Sequence, residues 1–202
     1  MIRAFLAVEL AHGLLAALAT LQQDLKRRIE PELTRGARIS WAQSASIHLT
    51  LKFLGDMDEQ MVDPLGIAIE QAIGSLGPVM VPLERLGVFP RPDSPRVLWV
   101  GPSEQWEQGV EAQRVAEIHG AIEQACEGLS FLRESRPFSP HLTLARIKMG
   151  ERQVGLVLAK SGLLDLPLSL GQLAVDRVVL MRSELNPTGS VYTKLWDVRL
   201  RG

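Results

Sequence analysis

The sequence predicts a mixed α+β fold with largely antiparallel sheets, built from two similar halves. Apolar residues alternate at period two in some segments and recur every three or four residues in others, which are the patterns of strands and helices. These segments are interspersed without the regular strand–helix alternation of a doubly wound parallel sheet. The segment SIHLTL at 46–51 recurs 93 positions later as SPHLTL at 139–144, so we expect a duplicated half.

The first half of the chain contains two predicted strand–helix pairs. A period-two apolar pattern predicts a strand over 2–10. Apolar residues at steps of three and four then predict a helix over 14–29, and three basic residues near its end suit the negative end of the helix dipole. Alternation resumes over 47–53, which predicts a second strand, and a second helical pattern covers 62–76.

The remaining elements follow from the same periods. Two strands are expected at about 79–89 and 96–101. The loop between them contains three prolines, which favour turns. A third helix is expected over 115–129. The rest comprises a strand at 141–148, a helix at 152–160, strands at 174–182 and 191–200, and a turn at Asn186-Pro187-Thr188-Gly189.

The composition is that of a globular protein. The 202 residues are 46% hydrophobic and 22% charged, which excludes a disordered tail and a disulfide-stapled miniature. The net charge of −1 argues against a protein that coats long nucleic acid, although a pocket for one phosphate is compatible with it. The N-terminal apolar stretch superficially resembles a secretory signal, but Glu9 and His12 interrupt it. No segment approaches the ~20 apolar residues of a membrane-spanning helix. We therefore expect a cytoplasmic protein with no membrane partner.

The repeat places acid–base chemistry on two strands. In an extended strand, side chains at i and i+2 share a face, so each copy presents one imidazole and one hydroxyl opposite two buried leucines. Two neighbouring strands would then line a cleft with His48, His141, Thr50 and Thr143. Neutral and protonated histidine can act as base and acid, and threonine hydroxyls can bind phosphate oxygens. A lone histidine is more often structural, and it is the repetition that favours catalysis here.

The sequence offers no pattern for a cofactor. It has no His-x-His, no glycine-rich phosphate loop and no nucleophile elbow. We therefore expect neither a metal nor a nucleotide cofactor. Cys126 lies on the apolar stripe of the third predicted helix, so we expect a buried, inert thiol.

Together these motifs resemble the two-histidine (2H) phosphoesterases, and more closely the RNA 2′,3′-cyclic phosphodiesterases, also called 2′-5′ RNA ligases. The resemblance extends over nearly the whole chain. It comprises RAFLAV at 3–8, HLTLKFLG at 48–55, LGVFP at 86–90, RVLWVG at 96–101, PHLTLAR at 140–146, and Gly189 with Tyr192.

This resemblance implies a bilobal α+β fold with helices packed outside two pseudo-symmetric lobes of antiparallel sheet. Residues 1–202 would form a single 2H domain of two interleaved lobes, with the motifs at 48–51 and 141–144 facing a central, metal-independent cleft. The implied reaction is hydrolysis of a 2′,3′-cyclic phosphate on an RNA end or oligonucleotide to a 2′-phosphomonoester. By analogy with the family, His48 is the proton donor and His141 the acceptor, a polarity that the sequence itself does not assign.

The resemblance also implies that Thr50, Thr143 and Arg146 contact the phosphate. Strict alternation nevertheless places Arg146 on the face opposite His141, unless a bulge or the end of the strand turns it back. Phe5 and Trp41 are candidates for stacking on a terminal base, with core packing the alternative for Phe5.

Three alternatives remain open: a ligase that joins RNA ends through a 2′-5′ bond, a nucleotide- or RNA-binding module on the same fold with weak or lost catalysis, and an unrelated α+β protein with a chance repeat. We expect a monomer that binds short RNA ends. A basic rim around the cleft would extend this to longer RNA, with candidates Lys52, Arg91, Arg96 and Arg136.

Overall fold

The computed structural model describes residues 1–186 and 189–202 and confirms the mixed α+β architecture with antiparallel pairing. The first half contains β1 (Ile2–Val8), α1 (His12–Ile29), β2 (Arg38–Trp41), β3 (Leu49–Met57), α2 (Val62–Ile73), β4 (Val79–Pro82), β5 (Arg85–Phe89) and β6 (Val97–Gly101). The second half contains α3 (Glu104–Glu107), α4 (Val110–Gly128), β7 (Leu142–Met149), α5 (Glu151–Ser161), β8 (Gln172–Val175), β9 (Arg177–Asn186) and β10 (Gly189–Arg199).

The large sheet joins the two copies of the repeat at its centre. Its strand order is β10-β9-β1-β3-β7-β6-β5, and β2 adds to the edge of β7 that faces β3. The strands β3 and β7 pair at one position, where Leu49 lies opposite Leu142. These two leucines are equivalent residues of the repeat, so the pseudo-twofold axis that relates the copies passes between them.

The two faces of this sheet have different roles. One face packs against the helices in the main core, to which β1 contributes Ala4, Leu6 and Val8. The opposite face of β1 carries Phe5 and Ala7, which belong to a small separate apolar cluster. Burial of one face leaves the other available to form a cleft. Within the described residues every helix is too short or too polar to span a bilayer.

The structure differs from the predicted elements at several points, and it contains a short helix, α3, that was not predicted. The strand expected over 79–89 is divided into β4 and β5, because the chain leaves the large sheet after Pro82 and β4 pairs with β8 in a separate two-stranded sheet. The strand β2 was not predicted. The strands expected from residues 47 and 141 begin at Leu49 and Leu142, so His48 and His141 each lie immediately before a strand. Of the expected turn at 186–189, Pro187 and Thr188 lie outside the described residues.

A buried ion pair connects β3 to α4. Lys52 and Glu123 are 4% and 2% exposed, and the Lys52 ammonium donates to both carboxylate oxygens at 2.9 Å. The same ammonium donates to the carbonyl of Leu132 at 2.8 Å, while the backbone N–H of Glu134 donates to the Glu123 carboxylate at 3.2 Å. The prediction of Lys52 as part of a basic rim is therefore wrong: this lysine anchors the segment 131–134 beside β3.

The sulfur of the chain's single cysteine lies in the same region of α4. Cys126 is fully buried. Burial raises the pKa of the Cys126 thiol to about 11, so it stays protonated at neutral pH, as the sequence predicts.

Candidate active site

The two copies of the repeat meet in one cavity of about 250 Å³. It is lined by all five residues that the sequence analysis selected, which are His48, Thr50, His141, Thr143 and Arg146. The alternation behind that selection also holds locally. Leu49, Leu51, Leu142 and Leu144 are at most 4% exposed, while the histidines and threonines between them lie on the cleft side.

Each imidazole is held by the same hydrogen bond. Nδ1 of His48 lies 2.8 Å from the carbonyl of Ser46, and Nδ1 of His141 lies 2.8 Å from the carbonyl of Ser139. Because a carbonyl only accepts, Nδ1 carries the proton in both rings. The unprotonated nitrogen of each neutral histidine is therefore Nε2. Two equivalent rings of the same tautomer are thus available for proton transfer.

His48 lies between two aromatic rings. It stacks on Phe5 with ring centroids 4.7 Å apart and meets Tyr192 edge-on at 5.2 Å. This burial lowers the pKa of His48, an effect opposed by the hydrogen bond to Ser46 and reinforced by the positive charge of Arg146. Phe5 is both a packed residue, as we expected, and the surface that orients this histidine.

His141 has a comparable aromatic environment. Phe89 lies edge-on to it at 4.9 Å, and Trp99 lies 6.2 Å away between ring centroids. Burial lowers the pKa of His141, the carbonyl of Ser139 opposes this shift, and the charge of Arg146 reinforces it. Both histidines therefore favour the neutral form in the free protein.

A β-bulge brings Arg146 to the cleft. In the pairing of β6 with β7, Trp99 lies opposite Thr143 and Leu98 lies opposite Ala145, so Leu144 is an extra residue. Leu144 and Ala145 both point into the core as a result, and Arg146 is exposed on the side of Thr143. The strand β3 has an equivalent bulge at Leu51, where the register with β1 also shifts. Strict alternation would place Arg146 on the face opposite His141, and this bulge turns it to the cleft.

Arg3 is a lining residue that the sequence analysis did not select. Within the described part of the chain, neither Arg3 nor Arg146 forms an ion pair, whereas Arg85 and Arg182 each do. The available signal was the alternation of β1, which places Arg3 opposite the apolar face. Two such guanidinium groups make the cavity attractive to an anion.

The aromatic candidates have different positions. Trp41 is half-buried in β2 and donates its Nε1–H to Glu30 at 2.9 Å, and it does not line the cavity. Phe53 does line it and is 67% exposed, so this ring is available for stacking. Among residues 1–186 and 189–202, no three histidine, cysteine, aspartate or glutamate side chains are grouped to hold a metal ion.

Comparison with known proteins identifies relatives over almost the full length. The family model described as LigT like phosphoesterase matches residues 9–99 and 109–192. The chain is 29% identical to an RNA 2′,3′-cyclic phosphodiesterase of Methanothermobacter thermautotrophicus, over 98% of this chain and 99% of the relative. It is 31% identical to a protein of the same name from Aeropyrum pernix, over 81% and 88% of the two chains. The crystal structure of TT0787 of Thermus thermophilus has a TM-score of 0.70 and 30% identity, covering 100% of this chain and 99% of that one.

Proposed function

Because the chain belongs to the family of LigT like phosphoesterases, we propose that it hydrolyses the 2′,3′-cyclic phosphate at the end of an RNA to a 2′-phosphomonoester. Relatives of this name match most of the chain. The observation that carries the proposal is the pair of equivalent histidines, each held through Nδ1 by a backbone carbonyl, in a cavity that two arginines also line.

The proposed reaction uses one histidine as base and the other as acid. Nε2 of neutral His141 takes a proton from a water molecule, whose oxygen attacks phosphorus. Nε2 of protonated His48 donates its proton to the 3′-oxygen as the bond between phosphorus and that oxygen breaks. This polarity is the family's, and the equivalent hydrogen bonds of the two rings make the reverse reaction a simple exchange of roles. No metal ion takes part in this proposal.

Binding of the substrate would change the protonation of the two histidines. Both histidines have lowered pKa values in the free protein, because they are buried and because Arg146 is near. A cyclic phosphodiester carries one negative charge, and an adjacent anion raises the pKa of a histidine. Binding would therefore raise the pKa of the histidines beside the phosphate, and the charge on one protonated ring would disfavour protonation of the other.

Thr50, Thr143 and Arg146 would hold the phosphate oxygens. The hydroxyls lie on the same strand faces as the two histidines, and the guanidinium can donate two parallel hydrogen bonds to an anion. Donors already in place where negative charge develops stabilise the transition state without reorganisation.

The experiment that tests this function is an end-group assay in EDTA. A short RNA with a 2′,3′-cyclic phosphate is incubated with the protein, and the products are separated by phosphate position. We expect a 2′-phosphate at a rate that EDTA does not change. A 3′-phosphate would show that the other bond is cleaved, a joined product with a 2′-5′ bond would show ligation, and a rate abolished by EDTA would contradict the metal-free mechanism.

The substitution Arg146→Gln should move the pH dependence of kcat/KM. Removal of this positive charge raises the pKa of both histidines, so the acidic and the basic limb of the profile both shift to higher pH. Loss of a charged phosphate contact should also lower kcat/KM by about tenfold. Proton NMR titration of the two imidazoles checks the shift without substrate. Arg27→Gln, at an exposed position of α1, is the control and should leave the profile unchanged; an unshifted profile in Arg146→Gln would contradict the assigned cause.

A further inference from the structure

A second cavity adjoins the catalytic one in the first half of the sheet. Its volume is about 580 Å³, within the range of small-molecule sites. It lies between the end of β3 and the segment that follows α4, and its lining includes Phe53, Asp56, Met61, Phe131 and Leu132. Phe53 and Gly55 line both cavities, so the two spaces adjoin at this part of β3, beside one exposed aromatic ring. We call this second cavity the β3 groove.

The β3 groove exists because the two halves of the sheet are not equivalent here. In the second half, β2 covers the edge of β7, with Ser40 opposite Arg146 and Trp41 opposite Ala145. The equivalent positions in the first half are 131–134 against β3, and this segment forms no strand. In the described residues, β3 beyond Leu49 has a strand partner on its β1 side alone. The backbone groups of the other edge are therefore available to a ligand.

The segment 131–134, which faces this edge of β3, has an anchored backbone although its exposed surface is apolar. Lys52 binds the carbonyl of Leu132, and Glu123 binds the backbone N–H of Glu134, so the buried ion pair anchors this backbone at two points. The side chain of Leu132 nevertheless is 91% exposed. An apolar side chain held on an anchored backbone beside an exposed phenylalanine is suited to contact a flat, uncharged ring.

The charges distinguish where a phosphate and where a base would lie. Asp56 and Asp58 line the β3 groove, which disfavours a phosphate there but provides acceptors for the amino groups of a base. Arg3 lines the catalytic cavity and lies opposite Asp56 in the pairing of β1 with β3, at the junction of the two spaces. Arg3 thus lies on the β1 side of β3, at the end of that strand that also lines the groove, and a cation there would attract the phosphate of a chain that leaves the catalytic cavity toward the groove.

We propose that the β3 groove binds the base of the nucleotide on the 5′ side of the reacting one, and that Arg3 binds the phosphodiester that joins the two. This inference rests on the proposed function and adds a second-nucleotide subsite to it. The preferred substrate is therefore an oligonucleotide end, and a mononucleotide cyclic phosphate fills only part of the site.

The test compares three substrates: adenosine 2′,3′-cyclic phosphate, the dinucleotide ApA with a terminal 2′,3′-cyclic phosphate, and the same dinucleotide with a neutral methylphosphonate linkage. We expect kcat/KM for the charged dinucleotide to exceed that for the mononucleotide by about tenfold or more, as for a charged hydrogen bond. Arg3→Gln should reduce this ratio on the charged dinucleotide and have no effect on the ratio for the neutral one.

A second pair of variants tests the groove itself. Leu132→Ser should lower the ratio of dinucleotide to mononucleotide kcat/KM, whereas Leu156→Ser, which alters a 72% exposed leucine of α5, should not. Equal kcat/KM for the mononucleotide and the charged dinucleotide would overturn the subsite and leave the proposed function standing. Such a result would favour the open edge of β3 as a place where another protein adds a strand. Absence of turnover on all three substrates would overturn both.

Discussion

Replacing either His48 or His141 by alanine is expected to lower kcat/KM for a 2′,3′-cyclic phosphate by about 10²- to 10⁴-fold. Each ring would transfer a proton in the same transition state, so loss of one disables the other. For that reason the double substitution should cost little more than either single one. Near-equal losses would reflect the equivalent hydrogen bonds from each Nδ1 to a backbone carbonyl.

Rates for the two single variants and the double variant, measured on one substrate, check this prediction. His12→Ala is the matched control, because His12 is exposed at the start of α1 and does not line the cavity. Folding of each variant is verified by thermal denaturation, since His48 packs on Phe5. A variant that keeps wild-type kcat/KM without one of these histidines would remove that histidine from the mechanism. Losses that multiply in the double variant would show that the two act in separate steps.

The largest effect on stability is expected where the ion pair between Lys52 and Glu123 loses one member. Both side chains are almost fully buried, so Lys52→Met removes the lysine charge that the Glu123 carboxylate pairs with and leaves it the Glu134 N–H and the imidazole of His119, 3.8 Å away. Breaking a buried pair in this way typically costs about 3–5 kcal/mol of unfolding free energy. The double variant Lys52→Met/Glu123→Leu removes both charges and should recover most of the loss.

Denaturant unfolding of the two variants measures this effect. The control is Lys160→Met, which removes an 81% exposed lysine from a surface pair with Glu32 and should cost less than about 1 kcal/mol. A loss below about 1 kcal/mol in Lys52→Met would show that the buried carboxylate finds another partner. A double variant less stable than the single one would show that the hydrogen bonds to the segment 131–134 outweigh the charges.

The candidate site could be predicted largely because the pattern that indicates it spans only a few residues and occurs twice in the chain. Alternation within a few residues of His48 and His141 decides which side chains are buried, and the repetition indicates that both strands serve one site. The structure brings His48, Thr50, His141 and Thr143 to one cavity for that reason. The two copies also pair with each other at equivalent positions, with Leu49 opposite Leu142.

Features that depend on distant partners could not be predicted in this way. The orientation of Arg146 follows from a bulge that is defined only in the pairing with β6. The burial of Lys52 depends on Glu123, which is 71 positions away in the chain. The strand β2 exists because it covers an edge of β7, and its four residues alone carry too short a pattern to indicate a strand.

The matched bulges at Leu51 and Leu144 place two different residues at equivalent positions of the cleft. Each bulge turns the residue two places further along toward the cleft, and those two residues are Phe53 and Arg146. The duplicated scaffold thus presents an uncharged ring at one of two equivalent positions and a cation at the other. A nucleotide is itself asymmetric, with a flat base at one end and an anion at the other. We expect such a ligand to meet the two proposed acid–base groups in one orientation, so that the difference between Phe53 and Arg146 contributes to the division of roles between the histidines.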